Sequence, residues 1–361
     1  MKECIGIINL DEKEDKLTEL IRTRTVSSMI IAGRYKIIDF ALSNLTNSGV
    51  ESIGIFTKKK SYSLLKHLSN GRPWDLHRKK DGLKIFNYNE YDPSYDDIHS
   101  FMDNIEFIKY CKKEYIIIIP SYMVCNIDYK EILDRHKKSN NEITIIYKKS
   151  KDAKRFLGCE ELIIDENNKV KEIREIDNTF YEFNVNMEMY IMKTSLFVDI
   201  LKENITNGLY RKVKEYIKYN LKTLRVGGYE FKGYLSCINS VISYFNTNKE
   251  ILDINISNEL FYNNRLIFTK EKNEPPVFYS KESKVNNCII ANGSYVEGKL
   301  ENCIIGRKVK IKNGAIVKDS IIMDNVTVEK NAIINNSILS SNFIVEENKI
   351  INGSIINPKI F

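Results

Sequence analysis

The sequence predicts two domains, a mixed α/β sheet domain over residues 1–270 and a parallel β-helix over 277–361, on the strength of three observations. From the start to about Glu250, short apolar runs alternate with longer amphipathic stretches, as βα units around a largely parallel sheet require. Lys270–Pro276 is charged and holds a Pro pair, which marks a linker. Beyond it, Asn-Cys-Ile-Ile at 302–305, Asp-Ser-Ile-Ile at 319–322, Asn-Ser-Ile-Leu at 336–339 and Gly-Ser-Ile-Ile at 353–356 recur every 17 residues, with an earlier Asn-Cys-Ile-Ile at 287–290.

In chain order, Cys4–Ile8, Ser52–Phe56, Tyr115–Ile119 and Glu142–Tyr147 read as strands. The β-branched run Ile116–Ile119 closes on Pro120, which favours a central strand over a buried helix. Tyr35–Ser48 reads as a helix in its later part, and Gly49 suits the position just past its end, where a residue without Cβ enters the left-handed region freely. Tyr129–Lys138, with Asp128 as N-cap, and Tyr210–Asn220 are further helices. In the repeat region the aliphatics fall at sixes: Ile305, Ile311 and Val317; Ile322, Val328 and Ile334; Leu339, Val345 and Ile351. One inward aliphatic from each of three short strands per coil is the pattern of a hexapeptide β-helix, with Asn313, Gly314, Asn325 and Asn331 at its corners. An antiparallel sandwich would show period-two alternation without the 17-residue echo.

Composition narrows the function classes. Apolar residues at 43% and charged ones at 29% exclude collagen-like, mucin-like and fully disordered chains. The cysteines at 4, 111, 125, 159, 237, 288 and 303 form no C-x-x-C pair and are odd in number, so neither a disulfide framework nor a metal site is indicated, and a reducing cytoplasm is expected. No apolar run approaches a membrane span or a signal h-region. The net charge of +7 is concentrated in 58–80, where eight Lys/Arg face Asp75 alone. Without a nucleic-acid motif, and with its 21 Tyr scattered rather than interleaved with the basic residues, the chain is not expected to bind nucleic acid; the basic loop suits a solvated surface or a partner's acidic face. Hexapeptide acyltransferases need a histidine base at the coils. His67, His77, His99 and His136 all precede the linker, so the β-helix is expected to serve packing and subunit contact instead.

The segment from Gly33 to Gly49 (GRYKIIDFALSNLTNSG), with Ile53-Gly-Ile-Phe-Thr57 and Ser61–His67, closely resembles glucose-1-phosphate adenylyltransferase, the ADP-glucose pyrophosphorylase of bacterial glycogen synthesis. The resemblance covers essentially the whole chain. It implies a nucleotidyltransferase domain, Rossmann-like and GT-A-like, ahead of a left-handed β-helix. Within that family, Ser69–Lys79 (SNGRPWDLHRK) and Val124–Asp128 (VCNID) look like the non-catalytic companion of the catalytic subunit.

Adenylyl transfer needs a glycine-rich loop around the triphosphate, cations against its charge and carboxylates for magnesium. The resemblance maps each station onto this chain. The family's G-G-x-G-x-R-L falls on Asp11–Leu17, where Asp11, Glu12 and Glu14 replace glycines and would repel a triphosphate. Its R-A-K-P falls on Arg24–Ser27, with Val26 in place of lysine. The first metal carboxylate falls on Ser121 or Tyr122, and the second on Cys237, a soft thiol in place of a hard oxygen ligand. The sugar-phosphate lysine falls on Ile176, after a surviving Glu175, and the adenine-reading glutamine on Lys58. An inactive site without metal or cofactor is therefore expected. Asp92, Asp96 and Asp97 are the one dense acid group nearby, in a stretch that reads as a solvated loop. Family positions tied to anionic effectors fall on Arg24, Lys36 and Ser63; they suit a sugar phosphate, nucleotide or sulfate, or else simply face solvent. The expected role is a non-catalytic subunit in a hetero-oligomer, a tetramer, with the catalytic subunit. An active adenylyltransferase with displaced ligands and a stand-alone sugar-nucleotide sensor stay open as alternatives.

Overall fold

The computed structural model of the chain describes residues 1–12, 14–22, 24–57, 62–87, 96–176, 182–263 and 265–361; Lys58 and Asp92 lie outside them. The chain divides into two compact units. The first comprises Met1–Glu12, Phe40–Cys237 and Arg265–Phe268, and the second Lys13–Asp39, Ile238–Asn264 and Thr269–Phe361.

A nine-stranded mixed sheet organises the first unit. Its strands are β1 (Cys4–Asn9), β2 (Ser52–Thr57), β3 (Gly82–Asn87), β4 (Tyr115–Pro120), β5 (Ile143–Ser150), β6 (Glu160–Ile164), β7 (Val170–Glu175), β8 (Phe183–Lys193) and β9 (Val226–Glu230). Along the sheet the order is β7-β6-β8-β4-β1-β2-β3, and β5 pairs with both β8 and β9. β1 runs parallel to β2 and β4, whereas β8 is antiparallel to β4 and β5. Ile5, Ile7, Ile116 and Ile117 are fully buried, as central strands covered on both faces require.

The helix Ile37–Asn47 (α1) ends before Gly49, which takes φ +87° as its position demands. The helix Tyr129–Lys138 (α3, numbering Asp97–Asp103 as α2) has its expected bounds, and the Asp128 carboxylate accepts from the Lys130 amide at 2.8 Å. α1 also holds the entry to α3: Asn44 donates to the Cys125 carbonyl and accepts from the Ile127 amide, while the Ser48 hydroxyl accepts from the Tyr129 amide.

The helix expected over Tyr210–Asn220 is shorter, Val213–Tyr219 (α4). Lys212 is extended, its amide donates to Glu215, and the Val213 amide donates to Asp97 from a distant segment at 3.1 Å. That long-range anchor fixes the first turn later than local periodicity suggests.

In the second unit three five-stranded parallel ladders form the β-helix. Ile305 pairs with Ile322 and Ile322 with Leu339; Ile311, Val328 and Val345 form a second column, and Val317, Ile334 and Ile351 a third. All nine are at most 2% exposed and together form the core. Gly314, Asn325 and Asn331 take left-handed φ at the corners, and the turn expected of Asn313 passes to Gly314. The fifth echo, Gly353–Ile356, does not join its ladder. Ser354 and Asn357 close a tight turn, Lys359–Ile360 pairs with the preceding coil, and Ile355 and Ile356 stand exposed.

Candidate functional site

In open α/β sheets, ligands bind beyond the carboxyl ends of the strands. Here the ends of β1 and β4 deliver Asn9 and Pro120 to one cleft, which is also lined by Asp11, Glu12, Asp97, Tyr122, Glu188 and Lys214. Its acids are tied to neighbouring side chains. The Ser121 hydroxyl donates to Glu12, Lys212 pairs with Asp11, and Lys214 pairs with Glu188 at 3.0 Å. The cavity they leave, about 40 Å³, holds a few waters and falls far below the ~300 Å³ of small-molecule sites.

Asp97 belongs to this cleft, which corrects the solvated-loop reading for that residue. It is 5% exposed, accepts from Asn9 at 3.3 Å and from the Val213 amide, and burial together with the charge of Asp11 holds its carboxyl well above the usual carboxylate range. Asp96 is likewise engaged: it caps α2 by accepting from the His99 amide.

Glu188 reaches the cleft from an irregularity in β8 between Asn186 and Met189, where its own φ is +52° and its amide donates to the Asn186 side chain. Neither Lys214 nor Glu188 stood out in the sequence. A bulge reorients one residue of a strand, and no local residue pattern announces it.

Magnesium does not fit the donors offered by Ser121 and Cys237. Ser121 is a buried hydroxyl engaged with Glu12. Cys237 is fully buried on the strand pair Met123–Val124 and Ser236–Cys237, with its sulfur 3.1 Å from that of Cys159. Burial, then the Cys159 thiol, pushes the Cys237 thiol up, so it stays protonated and soft. Tyr122, the alternative at the first station, is raised by burial and by the charge of Glu188. Among the described residues no group of three or more His, Cys, Asp or Glu is placed to hold a metal ion. Ile176 is buried just after β7, its amide donating to the Cys159 carbonyl, while Glu175 is exposed. Glu14 and Val26 belong to the second unit; Val26 is fully buried in the turn Val26–Ser28.

The expected anion residues fall in different units. Ser63 lies half-buried on the helix Tyr62–Leu68 of the first. Arg24 and Lys36 belong to the second, where Lys36 feels Arg24, Lys272, Asp39 and Asp324. Burial first, opposed by Asp39 and reinforced by Arg24 and Lys272, lowers the Lys36 ammonium to about 8. Asp324 is held in turn by the Arg307 amide, which donates to it at 2.8 Å, while the Arg307 guanidinium pairs with Glu274 at 2.8 Å. Lys272 sits in the linker, and only folding brings it within reach of Lys36, which precedes it by more than 230 positions.

No helix among the described residues is long and apolar enough to cross a membrane.

Comparison with known proteins agrees with this architecture. The nucleotidyl transferase family matches residues 14–253, and the GlmU-like C-terminal hexapeptide family matches residues 276–354. The glycogen biosynthesis protein GlgD of Bacillus subtilis (strain 168) is 30% identical over 320 residues, 88% of this chain and 83% of the relative. That of Geobacillus stearothermophilus is 32% identical over 325 residues, 87% and 83% of the two chains. The glucose-1-phosphate adenylyltransferase of Mycoplasma mobile is 29% identical over 331 residues, 88% and 85%. With the nucleotidyl transferase match over more than half of its length and a hexapeptide domain behind it, the chain belongs to the nucleotidyl transferase family, in the group that holds GlgD and glucose-1-phosphate adenylyltransferase.

Proposed function

We propose that the chain is a non-catalytic, regulatory or structural subunit of bacterial glucose-1-phosphate adenylyltransferase, acting in glycogen biosynthesis in the cytoplasm. Its partner is the catalytic subunit, which converts ATP and glucose 1-phosphate to ADP-glucose and diphosphate, and the assembly is a hetero-oligomer, a tetramer. The observation that carries this reading is the cleft at the ends of β1 and β4. Acids stand where the family's loop has glycines, and two of them are spent on internal partners, Glu12 with Ser121 and Asp11 with Lys212. A triphosphate entering there would meet like charge and would have to break both contacts. The similarity to proteins named GlgD supports the pathway.

A chain with an intact fold and no chemistry alters a reaction by binding what performs it. The basic group around Arg24 and Lys36 is where an anionic effector, a sugar phosphate, nucleotide or sulfate, biases that assembly. The test is synthesis of ADP-glucose by the chain alone, by the catalytic subunit alone and by the two co-expressed. The expected result is no turnover alone, one mixed species by size exclusion with mass detection, and a shifted rate or effector response in the mixture. Chelator-sensitive turnover by the chain alone, or two separate homo-oligomers with unchanged kinetics, overturns the reading.

A further inference from the structure

One corner of the β-helix repeats a small hydrogen-bonding side chain: Cys288, Cys303, Ser320 and Ser337 on successive coils. The last three donate alike to the carbonyl two residues earlier, Cys303 to Glu301 at 3.1 Å, Ser320 to Lys318 at 2.6 Å and Ser337 to Asn335 at 2.7 Å, and Cys288 does the same to Asn286 at 3.1 Å. Two neighbouring pairs of the column also link amide to side chain. The Ser337 amide donates to the Ser320 hydroxyl at 3.1 Å, and the Cys303 amide to the Cys288 sulfur at 3.4 Å. Because Ile289 pairs in register with Ile304, the two cysteines sit one rung earlier on adjacent parallel strands. Rungs about 4.8 Å apart fall inside the Cα separations of cystine, roughly 4.4–6.8 Å. Cys303 is fully buried and Cys288 is half-buried, so one sulfur of the pair meets solvent and the other does not.

We propose that Cys288 and Cys303 are a modification site, a dithiol that a hydroperoxide oxidises to a disulfide joining two successive coils. The Cys288 thiolate attacks the terminal oxygen of the hydroperoxide. The O–O bond breaks, the departing oxygen leaves as water or alcohol after protonation, and Cys288 becomes a sulfenic acid. The Cys303 sulfur then attacks the Cys288 sulfur, its proton goes to the departing hydroxide, the S–O bond breaks and the S–S bond forms. Two thiols and one hydroperoxide give one disulfide, one water and one further water or alcohol. The order of events follows from the environments. The neighbouring Cys303 side chain first, and then the hydrogen bond from the Cys303 amide, lower the Cys288 thiol below the ordinary value against burial and the charge of Glu301, whereas burial raises Cys303.

The test treats the full chain with hydrogen peroxide, blocks remaining thiols with iodoacetamide and reads a non-reducing digest by mass spectrometry. The expected product is the Cys288 peptide joined to the Cys303 peptide, two hydrogens lighter than the pair. It forms before any change at Cys111, the other half-buried cysteine, whose thiol burial pushes up. Cys303→Ser installs the residue that the next two coils already carry, so it keeps the fold and stops at the sulfenic acid on Cys288, trapped by dimedone. Cys288→Ser takes up no dimedone at this corner. Absence of the joined peptide after the peroxide is consumed, or no dimedone adduct on a Cys303→Ser chain with unchanged circular dichroism, overturns the proposal.

Discussion

The Ser121 hydroxyl donates to the Glu12 carboxylate, fastening the segment after β4 to the segment after β1 across the cleft between them. The segment after β4 thus brings a donor, and the segment after β1 the acceptor that donor needs.

Ser121→Asp is therefore expected to destabilise the fold rather than recreate a metal site. It sets two carboxylates at hydrogen-bond distance in a buried place, a cost on the order of 1–3 kcal/mol. Thermal unfolding should show a melting temperature several degrees lower at pH 7, and Glu12→Gln in the same chain should recover most of it.

Asp97 gives a pH signature. Its carboxyl is held well above the ordinary 3.8 by burial and by Asp11, so the folded chain keeps a proton there that the unfolded chain has released. Its contribution to stability thus falls as pH rises from about 4 toward neutrality. Urea unfolding of the wild type and of Asp97→Asn across that range should give curves that differ most near neutral pH, with the variant relatively more stable there. Parallel curves would refute a protonated Asp97.

Lys36 sets an upper limit on anion binding. With its ammonium lowered to about 8, it is charged below that pH and neutral above it. Stabilisation by sulfate, measured as a thermal shift against an ionic-strength control of sodium chloride, should be full near pH 7 and fade through pH 8–9. Lys36→Met should remove the pH-dependent part.

Ile322 occupies the middle of a column between Ile305 and Leu339 and is 1% exposed. Ile322→Asp leaves an unpaired carboxyl in the stack, a loss on the order of 3–5 kcal/mol. Circular dichroism on heating should show the β-helix signal melting well below that of Ile322→Val, which costs about 1 kcal/mol.

Where structure follows from chain-local rules, the sequence was readable. Asp128 announced α3 because an N-cap acts on amides two residues away, and the 17-residue echo announced the columns because each coil repeats one inward aliphatic per side. The misreadings share a different origin. α4 starts late because Asp97 takes the Val213 amide, and the Gly353–Ile356 echo leaves its ladder because Ser354 and Asn357 close a turn first. Asp97 looked like part of a polar loop because nothing nearby in sequence tells of the Asn9 side chain and the Asp11 charge that meet it. The partnering of Glu12 with Ser121 and of Asp11 with Lys212 joins residues more than 100 positions apart, and no local pattern tells of it.

The coil is the unit of length in which this β-helix can change. Ile305, Ile322 and Leu339 keep register at 17 residues, yet Ile290 pairs with Ile305 after only 15. The difference lies at one corner: Leu300 follows Val296 by four positions, where Val317 follows Ile311 by six. That tighter corner carries Gly298, where a Cβ would stand 2.4 Å from the Ala315 carbonyl oxygen. Loss of two residues is thus absorbed by removing a side chain, with every inward aliphatic still on its column. Loss of a single residue has no such remedy, since it would turn a whole strand's aliphatics to the outside. Length variation in this domain is quantised, in whole coils or in paired deletions at a corner where backbone can meet backbone.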